Sequence, residues 1–274
     1  MHVLLPALHP SNRGMYQQMC AQFVSVFLDA ICNRRELEMI EDSVIPDHAR
    51  LAQTDYDRLF AVFREVLHRM LNAKDARVLG LGIGCSMHIC ILAPRRFVPW
   101  VVDGMYQGLE SFEHHRLMAT LILLGQVPKF LFSPGFAANG DKHLVPLIHL
   151  LLPAIDVNDP RKTLSALTVL LEVMQTVTFV DCSGHIPADA SPEEQEAMEA
   201  TCQLEPWLDS FLDTVFEFVE GISGVALSAE FRNNTASFDV VLQGVFLQLS
   251  PALTDRAVDR VAQWVLERHL HPMS

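Results

Sequence analysis

Apolar residues recur along this chain with the period of an α-helix, and no other feature narrows its fold as far. Met15, Met19, Phe23, Phe27 and Ile31 fall at four-residue intervals. Tyr56, Leu59/Phe60, Phe63, Val66/Leu67 and Met70/Leu71 repeat the pattern, as do Leu164, Leu167, Leu171, Met174 and Val177. Leu204, Trp207/Leu208, Phe211/Leu212, Val215, Phe218/Val219 and Ile222 form a longer stripe, and Phe238, Val241/Leu242, Val245 and Leu249 another. Each stripe reads as the core-facing side of an amphipathic helix. Half of the 274 residues are hydrophobic and 19% are charged, which excludes global disorder.

Local chemistry marks where the helices begin. Asp159-Pro160 sets a capping side chain before a proline at the first helical position. Ser191-Pro192-Glu193-Glu194 does the same and adds a capping box between Ser191 and Glu194. Thr54 and Thr254 are read as caps of two further helices. Stops are expected at Pro94, Pro134-Gly135, Pro153, Gly184 and Gly224. The helices so predicted span 15–34, 54–73, 97–108, 112–131, 141–152, 160–179, 192–222, 235–249 and 254–269. Strand signals are thin, and only Val78–Ile91 is ambiguous.

Helix pairs at intervals of roughly 40 residues fit HEAT or armadillo arrays, in which each pair stacks on its neighbour to bury an apolar face. The expected fold is therefore all-α, an α-solenoid of such pairs, with 1–274 as part of one continuous helical-repeat array. Residues 182–191, rich in small and polar side chains, are expected to form a flexible loop insertion.

The net charge of −13 makes non-specific binding to nucleic-acid phosphates unfavourable. The charge is concentrated. Thirteen acidic residues and no lysine or arginine lie between Lys162 and Arg232, a solvated acidic face that could attract basic polypeptides. The N-terminus lacks a basic segment before its apolar residues, and the longest apolar runs, Leu117–Leu124 and Leu144–Ile155, are shorter than the ~20 residues that span a bilayer. Neither a secretory signal nor a membrane partner is expected. The scattered cysteines read as buried free thiols of a reducing compartment.

Signals for chemistry are weak. Gly80, Gly82 and Gly84 resemble a nucleotide or methyl-donor loop, but Cys85 stands where a dinucleotide fingerprint needs glycine, and Gly80 replaces the acidic residue of a methyltransferase motif. That enzyme reading remains a remote alternative. Cys85, His88 and Cys90 lack a second ligand pair at zinc spacing, and His114/His115 and His143/His149 lack i, i+4 spacing. Cys182 with nearby His185 is not a dyad. The basic pairs Arg34-Arg35, Arg95-Arg96 and Arg161-Lys162 are short and isolated. No catalytic, cofactor-binding or metal-ligating residue is assigned, no cofactor is expected, and the chain is not read as an enzyme.

Leu152-Pro153-Ala154-Ile155-Asp156-Val157-Asn158-Asp159-Pro160-Arg161-Lys162-Thr163, followed one helix later by Val180-Asp181-Cys182-Ser183-Gly184, resembles the proteasome activator complex subunit 4 family. Trp100, the Gly108–Arg116 region and Val145-Pro146-Leu147 fit the same resemblance, which is good over roughly 97–184. The resemblance implies a middle-region fragment of a large HEAT-repeat protein. Such a protein caps the proteasome core particle and promotes protein degradation without ubiquitin or ATP. It also implies a nuclear and cytoplasmic location, and for some members acetylated histone tails, DNA repair and inositol phosphates. The family docks through a tail ending in hydrophobic-tyrosine-any residue, whereas this sequence ends His271-Pro272-Met273-Ser274. A generic HEAT-type interaction scaffold is the alternative.

Overall fold

The computed structural model describes residues 4–9, 12, 14–111, 113–132, 140–224 and 229–270, with side chains described for all of these except 222–224, 229–236, 269 and 270. The chain is all-α. Its helices are α1 (Leu4–Ala7), α2 (Met15–Met39), α3 (Gln53–Leu71), α4 (Ala76–Leu92), α5 (Pro94–Leu109), α6 (His114–Gln126) and α7 (Pro128–Leu131). They continue as α8 (Leu144–Leu151), α9 (Pro160–Thr176), α10 (Pro192–Ala200), α11 (Leu204–Gly224), α12 (Ala229–Leu247) and α13 (Pro251–Leu270). Among the described residues the one β-type pairing is an isolated parallel bridge between Phe179 and Leu249. Two compact units result: the described residues up to Phe130, and those from Leu131 onward.

The ambiguous stretch Val78–Ile91 is helical and is the centre of the first unit. α4 packs against both α2 and α3, burying Val78, Ile83, Cys85, Ile89, Cys90 and Leu92. A helix covered on two sides is apolar almost all round and loses the one-sided periodicity that would have marked it. Asp75 caps it, accepting from the backbone N–H groups of Arg77 and Val78 at 2.9 and 3.1 Å. Its last carbonyls are met by neighbouring helices: Arg35 of α2 donates to Ile91, and Gln53 of α3 to Leu92 at 3.1 Å. The carboxylate of buried Glu38 holds the α2–α3 connection, accepting from Arg34 at 2.7 Å and from the Leu51 N–H at 3.1 Å. Burial alone would raise its pKa, but these donors and the Tyr56 hydroxyl lower it on balance.

The first predicted stripe does not form core. Met15, Met19 and Phe23 are 77%, 62% and 59% exposed, and the buried face of α2 is instead Cys20, Ala21, Val24, Leu28 and Cys32. Small residues prevail because α2 lies against α4, where short side chains permit close approach. The stripe on α3 is buried as expected at Tyr56, Phe60, Phe63, Val66, Leu67 and Met70.

In the second unit, α9 packs on α12, and α11 on α13. Its core is aromatic: Trp207 lies 5.5 Å from Phe179 and 5.4 Å from Phe211, ring centre to ring centre. The α11 stripe is buried from Leu204 to Phe218, whereas Val219 is exposed and the Ile222 side chain lies outside those described. Several predicted bounds change. Thr201–Gln203 forms a 3-10 turn that breaks 192–222 into α10 and α11. Pro128 ends α6 and opens α7 within 112–131. The segment 141–152 is α8 flanked by 3-10 turns. Thr54 and Thr254 are not caps. Thr54 follows the first residue of α3, and Thr254 lies inside α13, bonding back to the Ser250 carbonyl at 2.9 Å. Asp159 and the Ser191/Glu194 box do cap their helices. Pro134-Gly135 lies outside the described residues.

Candidate functional site

The two strings that carry the family resemblance are both capped turns. In the first, the Asp156 carboxylate accepts from the Asn158 N–H at 2.9 Å and the Lys162 ammonium at 2.9 Å. Fully buried Thr163 closes the turn, its hydroxyl donating to the Asp156 carbonyl at 2.7 Å and accepting from the Asp156 N–H at 2.8 Å. Asp159 then caps α9 through the Lys162 N–H at 3.0 Å. The Asn158 N–H, then Lys162, hold the Asp156 carboxyl below its usual range. In the second string, Asp181 accepts from the Ser183 hydroxyl at 2.6 Å and N–H at 2.9 Å, which lower its pKa. Thr201 ties this turn to the end of α10 by accepting from the Cys182 N–H at 2.8 Å. The loop 182–191 is thus anchored where it leaves Cys182 and where it enters the Ser191 cap.

Much of the acidic segment is neutralised within the second unit. Along the α11–α13 seam, Arg256 binds Asp209 at 2.6 Å and Glu205 at 3.0 Å, Arg260 pairs with Asp213, and Arg268 with Glu220. Arg256 accordingly lowers the Asp209 pKa. Trp264 adds an indole N–H to Glu220 at 3.0 Å and stacks on Phe216 at 4.7 Å. Five further carboxylates, Asp189, Glu193, Glu194, Glu196 and Glu199, lie on α10 and its leading loop. Glu194 is committed to its capping box and Glu196 meets Lys142 at 3.9 Å. Asp189 and Glu199 are exposed and Glu193 half-buried.

A cleft of about 310 Å³ opens in the first unit between the C-terminal end of α3, the outer face of α5 and the start of α6. Val101, Met105 and Leu123 supply an apolar floor, and Trp100 a half-buried wall. Trp100 is set by ring contacts to Phe60 at 5.8 Å and Phe97 at 5.6 Å. Asp103, Gln107 and Arg116 are its polar rim, and Arg116 donates to the Gln107 amide oxygen at 3.1 Å. In the sequence Trp100 and Arg116 count only toward the family resemblance, and none of these residues is assigned to a site. Their one signal is that Trp100, Asp103, Gly104 and Gln107 stand at i, i+3, i+4 and i+7 on a single helix face.

The residues considered for chemistry are otherwise placed. Gly80, Gly82 and Gly84 lie inside α4, not on a turn between strand and helix, so they form no phosphate cradle. This overturns the nucleotide or methyl-donor reading. Cys85 and Cys90 are buried free thiols whose pKa burial pushes up to about 12. Among the described residues no group of three His, Cys, Asp or Glu side chains is placed to hold a metal ion. None of the described helices is long and apolar enough to cross a membrane. Four basic residues of the paired sets serve the fold: Arg34 binds Glu38, Arg35 the Ile91 carbonyl, Arg96 lies 3.5 Å from Asp57, and Lys162 binds Asp156.

Residues 7–191 match the family described as "Proteasome activator complex subunit 4, mid HEAT repeats region". The human proteasome activator complex subunit 4 is 25% identical over 221 residues, covering 77% of this chain and 12% of the relative. The Xenopus laevis protein of the same name is 26% identical over an equal span. The Danio rerio proteasome activator complex subunit 4A is 25% identical. The chain thus spans about an eighth of the length of the curated relatives it matches, at 12%. The matched residues take in α2 to α9 and both capped strings, and the all-α array of helix pairs is the architecture that the family description names: this chain belongs to the proteasome activator complex subunit 4 family, in its middle HEAT-repeat region.

Proposed function

We propose that the chain is a scaffold segment of a proteasome activator, a non-enzymatic stretch of HEAT wall in a cap on the proteasome core particle. The activator so built promotes degradation of polypeptides without ubiquitin or ATP, in nucleus and cytoplasm. The observation that carries this reading is the family match over residues 7–191. The architecture supports it, because the polar side chains of both capped strings and of the α11–α13 seam hold helices together. Native gels of source-cell extract, probed with an antibody against 192–222, test the proposal. The expected result is a band that co-migrates with core-particle peptidase activity. A band that never meets the core particle overturns it and favours a HEAT-type scaffold of another assembly.

The exposed carboxylates of α10 and the loop before it are the surface we propose for basic polypeptides, histone tails included. Replacing Glu193, Glu196 and Glu199 with glutamine should weaken binding of a histone-tail peptide at low ionic strength. Glu194 is spared because it closes the α10 capping box. Unchanged affinity would remove basic tails as partners of this surface.

A further inference from the structure

We infer that the cleft between α3, α5 and α6 is a binding site for a lysine or arginine side chain presented on an extended peptide. The inference goes beyond the proteasome reading and stands without it. Gly104 is the first reason. It lies in mid-helix, where glycine weakens α5, and a Cβ built on it meets nothing within 4 Å. Gly108, one turn on, is explained by packing, since a Cβ there would stand 2.8 Å from Thr120 Cβ. No such contact accounts for Gly104, which lines the cleft without a side chain.

The chemistry of the walls selects the ligand. Asp103 is exposed and, among the described residues, makes no ion pair or hydrogen bond, so its carboxylate is available to a cation. Trp100, one turn before it on the same face, offers an aromatic wall already fixed by Phe60 and Phe97. The C-terminal end of α3, ending at Leu71 beside the cleft, adds the negative pole of a helix dipole. Arg116 is the opposing charge. It donates to Gln107, one turn along α5 from Asp103, where a peptide carbonyl can share its donors. The apolar floor of Val101, Met105 and Leu123 suits the methylene stem of a long basic side chain. A cation held at Asp103 and a carbonyl held at Arg116 describe a basic residue within a peptide better than a free anion or a purely apolar group.

The same chemistry would bind a small free diamine, so the test separates the two sources. A fluorescein-labelled, capped peptide of alternating lysine and glycine is titrated into the purified 274-residue chain and followed by anisotropy. Glutamate and norleucine peptides and cadaverine serve as competitors. The lysine peptide should bind saturably and the glutamate and norleucine peptides should not compete. Asp103→Asn should weaken binding about tenfold, the loss of one charge-assisted contact. In a chain that also carries Glu193→Gln, Glu196→Gln and Glu199→Gln, so that the α10 surface does not contribute, Gly104→Leu should abolish binding while leaving the far-UV spectrum helical, because its Cβ enters open space. Equal binding by Gly104→Leu, competition by the glutamate or norleucine peptide, or no binding by the lysine peptide overturns the proposal. Competition by cadaverine at the concentration of the peptide assigns the cleft to a free diamine and overturns the peptide part.

Discussion

The indole N–H of Trp207 donates to the Ile148 carbonyl at 3.2 Å, and both residues are buried. The bond has a local cause. At the end of α8 the chain tightens into a 3-10 turn, and the Leu152 N–H turns to the His149 carbonyl. The Ile148 carbonyl, whose α-helical partner would have been Leu152, takes the indole from α11 instead. Trp207→Phe keeps most of the apolar contact but strands that carbonyl, which should cost about 1–3 kcal/mol. Trp207→Ala adds a cavity beside Phe179 and Phe211 and should cost about 3–5 kcal/mol. Urea denaturation followed by far-UV circular dichroism measures both, and a Trp207→Phe chain as stable as the parent would deny the bond any weight.

The two faces of α2 predict opposite mutational outcomes. Leu28 is fully buried, so Leu28→Ala should destabilise by about 2–5 kcal/mol. Phe23 is 59% exposed, so Phe23→Ser should change stability by no more than about 0.5 kcal/mol. The larger side chain should thus matter less. Thermal unfolding of the pair checks this, and a severe loss in Phe23→Ser would place the Met/Phe stripe in the core.

That reversal marks what a sequence of this kind can convey. Helical period was legible in α3 and α11 because one face of each is polar, whereas on α9 only Leu167 and Met174 of the predicted stripe are buried. In α2 both faces are apolar, and periodicity alone names two stripes without saying which meets α4. Asp159 and the Ser191/Glu194 box were legible because a cap depends on residues within one turn. The boundary at Thr201–Gln203 had a signal that the predicted helix 192–222 ignores: Pro206, in the first turn of α11, has no N–H for the Cys202 carbonyl and so cannot continue a helix from α10. The cleft, by contrast, was hidden. Its walls come from α3, α5 and α6, and only packing brings Trp100, Asp103 and Arg116 to one rim.

The glycines of α4 separate packing from ligand binding. A Cβ at Gly82 would stand 2.9 Å from Met70 Cβ and 3.1 Å from the Met70 carbonyl carbon, so α3 and α4 cross there at glycine distance. Gly80 and Gly84 have nothing within 4 Å. Gly82→Ala should therefore destabilise by about 1–3 kcal/mol, whereas Gly80→Ala and Gly84→Ala should stabilise by up to about 1 kcal/mol through helix propensity. Three denaturation curves decide it. Thermal shift with nucleotides or S-adenosylmethionine should be flat, and a shift that Gly82→Ala removes would restore the ligand-loop reading.

Acid should loosen the Asp156 turn before it melts α9. The Asn158 N–H and Lys162 hold the Asp156 carboxyl below its usual range, so the folded state binds its proton more weakly than the unfolded state. The stabilisation is fully present above the unfolded pKa, about 3.9, and is lost as the pH falls through the lower folded value. Asp156→Asn keeps an oxygen for the Asn158 N–H but removes the charge that meets Lys162 at 2.9 Å. The parent chain should lose thermal stability as the pH drops below about 4, and Asp156→Asn should start less stable and lose less over the same interval. Asp181 and Asp209, also lowered by their donors, remain as background in both proteins. Hydrogen exchange at Asn158, whose N–H bonds the Asp156 carboxylate, locates the effect. Its amide should lose protection in acid in the parent, while the Lys162 amide, held by Asp159, keeps its own. Parallel pH profiles for the two proteins would show that the Asp156–Lys162 charge pair contributes nothing to the turn.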